Sequence, residues 1–127
     1  MALFVQTSGT HSTNFASFVP IPGLSIALPQ GVDTLALIIL NLPLPFAQGN
    51  NFPGGNVGIS IDGAVSPVVG WFTYSEQVPP LNGRVPTTLV VGVPLTIRWQ
   101  IIEAVWSGVR GSTVTIDSPA TLSAILG

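Results

Sequence analysis

Ser60-Ile61-Asp62-Gly63-Ala64-Val65 is the stretch that decides the fold. Asp-Gly adopts the pair of positive φ angles of a type I′ turn at little steric cost, and that turn matches the twist of two antiparallel strands. The stretch therefore predicts a β-hairpin. Outward from it the same punctuation recurs, because 14 Gly and 12 Pro are spread through the 127 residues. Their spacing of roughly 8 to 12 residues suits short strands and leaves no room for long helices. Runs rich in Val, Ile, Thr and aromatic residues predict strands at 16–19, 24–28, 34–42, 57–61, 64–74, 86–91, 95–105, 112–116 and 121–126. The class is an all-β sandwich, with a jelly roll as the leading topology. No internal repeat argues for a propeller or solenoid.

Two segments depart from simple alternation. Leu35-Ala36-Leu37-Ile38-Ile39-Leu40 is apolar at every position, which predicts cover on both faces, one from the opposing sheet and one from a neighbouring subunit. Leu122-Ser123-Ala124-Ile125-Leu126 is apolar for a terminal segment, which predicts a central place in a sheet, since an undocked end would fray.

Composition narrows the function. Charged residues make up 6% of the chain and hydrophobic ones 46%, against roughly 25% charged in an average domain, and the mean hydropathy is +0.62. A monomer of this mass would expose ~6,400 Å², which so few charges cover thinly, so a subunit of an oligomer is expected. A net charge of −2 with no basic cluster excludes nucleic acid as a partner. The uncharged opening Met1-Ala2-Leu3-Phe4-Val5 is no classical signal peptide. The longest aliphatic run, 35–40, falls far short of the ~18 to 20 residues of a transmembrane segment. The absence of Cys removes disulfides and thiol chemistry and gives no compartment.

Catalytic and metal constellations are missing. His11 lies in the polar stretch 7–14 and reads as a solvated residue near a terminus, with no nucleophile elbow elsewhere. Asp33, Asp62, Glu76, Glu103 and Asp117 are scattered singly, so neither a metal nor any cofactor is expected. No carboxylate pair is singled out for glycoside hydrolysis, and Asp62 already serves its turn. The expectation is a protein that is not an enzyme. The informative segments are Gly70-Trp71-Phe72-Thr73-Tyr74-Ser75, Pro80-Leu81-Asn82-Gly83-Arg84, Ser107-Gly108-Val109-Arg110-Gly111-Ser112 and Ile116-Asp117-Ser118. They hold two of the three Arg and the only Tyr. In a chain that avoids charge, such an Arg is either paired with a carboxylate for structure or kept for a ligand, and the pattern leaves both readings open. A guanidinium suits vicinal hydroxyls and an aromatic ring suits an apolar sugar edge, so these residue types make a carbohydrate-like set.

At these residues the chain resembles the N-terminal TNF-like fucose-binding domain of the Burkholderia superlectins, over about 21–127. The shared words are Ile21-Pro22-Gly23-Leu24, Asn41-x-Pro43-x-Pro45-x-Ala47-x-Gly49-Asn50-Asn51-Phe52-Pro53-Gly54, Phe72-Thr73-Tyr74-Ser75, Gly83-Arg84-x-Pro86, Val109-Arg110-Gly111-Ser112, Ile116-Asp117-Ser118 and Leu122-Ser123-Ala124-Ile125. The resemblance implies a bacterial lectin, one TNF-like jelly-roll domain over 1–127, forming a homotrimer. It also implies that fucosylated oligosaccharides bind between adjacent protomers without calcium. The fucose contacts it implies fall on Thr73, Tyr74, Arg84 and Arg110, with Asp117 and Ser118 at the rim or supporting the arginines. Four positions depart from the family. Phe46 and Asn56 stand where the family has Tyr, and Leu81-Asn82 stands for a Ser-Thr pair. Loss of one hydroxyl at Phe46 removes a net ~0.5 to 1.5 kcal/mol, Asn56 exchanges an aromatic contact for a short amide, and Leu81-Asn82 alters subsites beyond the first sugar. The presumed ligand places the protein outside the cell or on its surface, and otherwise the address is cytoplasmic. The competing expectation is a trimeric structural or protein-recognition module in which Arg84 and Arg110 pair with Asp117 or Glu76.

Overall fold

Asp62 and Gly63 both hold left-handed φ angles, 51° and 86°, and Ile61 pairs with Ala64 across them, as a type I′ hairpin requires. The computed structural model describes residues 1–31, 34–79 and 83–127, and the chain among them is all β, with no helix. Its strands are β1 (Ala2–Gln6), β2 (His11–Thr13), β3 (Val19–Leu28), β4 (Leu35–Leu42), β5 (Phe46–Gln48), β6 (Gly54–Ile61), β7 (Ala64–Val65), β8 (Gly70–Thr73), β9 (Thr87–Pro94), β10 (Gln100–Val109), β11 (Thr113–Ile116) and β12 (Thr121–Leu126). One sheet runs β1-β12-β4-β9. The second runs β3-β10-β6-β7, with β8 pairing the other half of the same edge of β6. A small third sheet, β2-β11-β5, closes one end. Neighbouring strands pair antiparallel, for example β10 with β6 and β4 with β9.

The core fills the space between the first two sheets. Ile38, Leu40 and Leu42 of β4 and Leu122 and Ala124 of β12 are buried with Ile26 and Leu28 of β3, Ile59 of β6, and Ile102 and Trp106 of β10. As expected, the C-terminal segment is central, with β12 between β1 and β4. Thr7 fastens the approach to it, giving its N–H to the Ala120 carbonyl and accepting the Ala120 N–H on Oγ1, both at 2.9 Å.

The all-apolar run in β4 resolves into two faces. Ala36, Ile38 and Leu40 are fully buried, whereas Leu35 and Leu37 point outward and Ile39 is half-buried. Cross-strand pairing sets Phe4, Ser123, Ile39 and Val90 in one row, and Ala2, Ile125, Leu37 and Gly92 in the next. Phe4, Leu35, Leu37, Val90 and Ile125 are between 38% and 60% exposed. Polar Gln6, Thr121, Asn41 and Thr88 form the row that borders this apolar patch.

Several boundaries differ from those expected. The expected strand 64–74 is two strands, because Ser66-Pro67 interrupts it: Ser66 turns its N–H to the Ile59 carbonyl and Pro67 has none to give. The expected strand 95–105 begins at Gln100 and runs to Val109. β1, β2 and β5 were not expected. His11 is no solvated terminal residue: it is half-buried on β2, with Nε2 2.8 Å from the Ser8 carbonyl.

Candidate functional site

The turn that carries Arg110 is built by close backbone approach. Val109-Arg110-Gly111-Ser112 reverses β10 into β11, with the Ser112 N–H on the Val109 carbonyl at 3.0 Å. Arg110 and Gly111 hold φ of 51° and 75°. Left-handed backbone costs an ordinary L-residue roughly 1–2 kcal/mol, so Arg110 is held there by its surroundings. Ser112 supplies part of the hold, since its Oγ donates to the Val109 carbonyl and accepts the Gly54 N–H. No side chain fits at Gly54 or Gly108: a Cβ on Gly54 would lie 2.8 Å from the Thr73 Cα and nearer still to the Phe72 carbonyl oxygen, and one on Gly108 would strike the Ser112 carbonyl.

Arg110 then reaches across to β8 and the loop before β6. Nε donates to the Asn51 carbonyl at 3.0 Å, and Nη2 donates to the Phe52 carbonyl and, at 2.5 Å, to Thr73 Oγ1. Thr73 Oγ1 passes its own proton to the Phe52 carbonyl at 2.9 Å. Phe52 is itself left-handed, with φ of 46°. Two non-glycine residues in this conformation therefore meet at one carbonyl, and strain of this kind gathers where a fold holds functional groups in place. Thr73 and Trp71 point outward from β8 on either side of buried Phe72. Asn56, half-buried on β6, lies directly opposite Trp71 and donates Nδ2 to Ser107 Oγ at 3.0 Å.

A second cluster forms on the other side of the strand end. Tyr74 points inward with Phe72, the rings 6.1 Å apart and edge-to-face, and its hydroxyl donates to the Gly83 carbonyl and accepts the Ala47 N–H. Arg84 lies beside it, forked onto Asp117, with Nη2 on Oδ2 at 2.9 Å and Nη1 on Oδ1 closer still. Nη1 also donates to the Leu44 carbonyl at 3.0 Å, and the guanidinium carbon sits 4.6 Å above the Phe46 ring, within cation–π range. The hydrogen bond from Arg84 holds the Asp117 carboxyl below the ordinary carboxylate range, aided by Ser118, and the same bond raises the Arg84 pKa.

The site residues expected from sequence thus divide. Thr73, Arg110 and Asn56 share the outer face of the second sheet, whereas Tyr74, Arg84, Phe46, Asp117 and Ser118 gather on the opposite side; Asn82 and Leu81 lie outside the described residues. Arg84 is paired with a carboxylate, as one of the two open readings had it, and Arg110 has none among the described residues. Each guanidinium engages three of its five N–H donors, counting the three bonds given for each. Two donors on each are left for a ligand among the described residues. Beside Phe46 is a hollow of about 80 Å³ lined by Ala47, Gln48, Val78, Pro79 and Gly83, well under the ~300 Å³ at which ordinary ligand pockets begin. The chain therefore carries two shallow polar clusters, one on each side of the end of β8. No three His, Cys, Asp or Glu side chains gather there as a metal would need. Sequence reading missed the carbonyl acceptors of Leu44, Asn51 and Phe52, which carry no side-chain signal, and Trp71, which alternation from Thr73 places on the same face.

Solved structures are similar to the chain at low identity. An insecticidal delta-endotoxin, Cry8Ea1 from Bacillus thuringiensis, aligns at 12% identity and TM-score 0.50, covering 93% of this chain and 19% of the endotoxin. Dimeric latent PorU from Porphyromonas gingivalis aligns at 14% and 0.50, covering 98% of this chain and 13% of its own. The CBM36-1 domain of a multidomain xylanase from the hindgut metagenome of Trinervitermes trinervoides aligns at 17% and 0.48, covering 98% and 97%. The chain thus spans under a fifth of the endotoxin and less of PorU. No curated protein sequence matches it. A family model described as Bc2l-C, N-terminal domain, matches residues 2–125.

Proposed function

The chain belongs to the Bc2l-C N-terminal domain family, a lectin family, and from that membership we propose that it is a non-enzymatic lectin of one TNF-like jelly-roll domain. It assembles as a homotrimer and binds fucosylated glycans between adjacent protomers without calcium. The observation that carries this reading is the division of the site residues between two sides of one strand end, each side holding a positioned guanidinium with unengaged donors. Neither half encloses a sugar. Two halves contributed by neighbouring protomers form a cleft lined by Arg84 and Tyr74 on one wall and by Arg110 and Thr73 on the other. The apolar outer face of the β1-β12-β4-β9 sheet supports the same assembly, since a contiguous exposed apolar patch bordered by polar residues marks an interaction site.

In this reading Arg84 and Arg110 donate to ring hydroxyls. The Asp117 fork and the Phe46 ring fix the plane of Arg84, and Thr73 fixes Arg110, so little side-chain entropy is lost when the sugar arrives. Three shallow sites on one trimer then gain avidity, ~10²-fold or more, on a glycosylated surface. The Arg84–Asp117 fork also favours a second reading, a trimeric protein-recognition or structural module. Titration calorimetry with methyl α-L-fucoside, on protein whose mass in solution is that of a trimer, separates the two. Saturable heat at one site per protomer supports the lectin. A silent titration and a silent glycan array from an intact trimer support the module.

A further inference from the structure

We infer that Trp71 is the stacking platform of the sugar site and receives the apolar face of a 6-deoxyhexose; the inference rests on the lectin reading above. Its indole is 62% exposed, as is that of Trp99 at 61%, whereas Trp106 is buried in the core. Trp71 shares the outer face of β8 with Thr73, two residues and ~6.5 Å along the strand. Directly opposite is Asn56 on β6, at a Cβ separation of ~4.5 to 5.5 Å. Asn56 is short, and its amide nitrogen is turned to Ser107 Oγ, so it leaves the indole uncovered. The remaining neighbour of Thr73 on this face is the Arg110 guanidinium.

One aromatic plane, one amide and one guanidinium with unengaged donors therefore lie in a single patch. Arg110 and Thr73 alone can satisfy only hydroxyls. A 6-deoxyhexose also presents ring C–H bonds and a C5 methyl group, which water solvates poorly and an aromatic face covers well. Trp71, at 62% exposed, is the more open of the two exposed aromatic residues beside this patch, Phe52 being 43% exposed. Phe72 is buried, and the Tyr74 ring meets it edge-to-face on the other side of the strand end, with Arg84. Trp99 immediately precedes β10, whose Ile102 pairs with Ile61 beside the Asp62-Gly63 hairpin, roughly 20 Å of strand away from Gly54.

The test uses the native chain and the variants Trp71→Ala and Trp71→Phe, with methyl α-L-fucoside as probe. Heat is read by calorimetry, and emission is read in a Trp99→Phe background, where Trp71 is the exposed indole and Trp106 is buried. The expected result is an emission shift that saturates at the same concentration as the heat. Trp71→Ala raises Kd by ~10-fold or more with the oligomer mass unchanged, and Trp71→Phe restores most of the affinity. Saturable heat with unmoved emission, or with Trp71→Ala binding like the native chain, overturns the role of Trp71 and leaves the lectin reading intact. A Trp71→Ala chain that loses its oligomer mass assigns the residue to a subunit contact, which also overturns the role. A native trimer silent toward the fucoside and toward a glycan array overturns both.

Discussion

Substitution of Leu37 by Asp tests what covers the outer face of the β1-β12-β4-β9 sheet. Leu37 stands between Ile125 and Gly92 in its cross-strand row and is 38% exposed. That exposed fraction is ~70 Å² of apolar surface, worth ~2 kcal/mol when a partner covers it. Together Phe4, Leu35, Leu37, Val90 and Ile125 present about 400 Å² per protomer, a gross driving force of ~10 kcal/mol before the cost of association. An Asp at position 37 removes the Leu contribution and adds a carboxylate whose dehydration costs several kcal/mol. The loss is ~5 kcal/mol per protomer and ~15 kcal/mol per trimer, about ten powers of ten in the association constant. Within the protomer the same side chain faces solvent, so the fold loses only ~1 kcal/mol of strand preference. In sedimentation velocity at micromolar concentration the native chain should run at three times 13.2 kDa and Leu37→Asp at the protomer mass, with a cooperative melt retained. Fucoside binding should disappear together with the assembly. A variant that stays assembled, or a native chain that runs as a single protomer, refutes the argument that this face is the subunit interface.

Other consequences are equally direct. Arg84 lowers the Asp117 pKa, so the fork contributes above the ordinary carboxylate range and is lost as pH falls through the folded-state value. The difference in Tm between the native chain and Asp117→Asn should therefore be constant at neutral pH and shrink below about pH 4; a difference unchanged down to pH 2 would exclude the fork as its source. Asn tolerates left-handed backbone better than Arg, so Arg110→Asn should keep the Tm within about 3 °C, a shift of ~1 kcal/mol or less, while abolishing calorimetric binding of the fucoside. Gly108→Ala drives a methyl group against the Ser112 carbonyl and should destabilise the protomer by ~2 kcal/mol or more. An unchanged denaturant midpoint would show that the β10–β11 turn yields more readily than its geometry indicates.

The parts of the fold legible in the sequence were those governed by neighbouring residues. Asp62-Gly63 carries its turn type in two letters, and the central position of β12 follows from Leu122 to Leu126 needing cover. β2 was hidden because His11-Ser12-Thr13 is polar and pairs with β11 a hundred residues away. The interruption at Ser66-Pro67 was hidden by the Val residues on both sides of it. At the site, the residue types pointed to sugar chemistry, and the alternative of an Arg paired with Asp117 was open from the start. What fixes Arg110 was not legible, because its partners are the carbonyls of Asn51 and Phe52, and any residue has one. The left-handed φ of Phe52 and Arg110 likewise depends on the surrounding loops and not on either residue type.

The pairing of the first strand with the last has a consequence for synthesis on the ribosome. β4 acquires its β12 neighbour, and β12 its β1 neighbour, only through residues 121–126. Until those residues leave the exit tunnel, the nascent chain holds Leu35 to Leu42 with one edge unpaired, and that segment is the most continuously apolar of the whole sequence. Contacts this distant along the chain form slowly, and an open apolar edge recruits other chains. Yield in the cell should therefore be limited by how well that edge is shielded until residues 121–126 emerge and pair with it, and chaperones that hold emerging chains should raise it more than any stabilising change in the finished core.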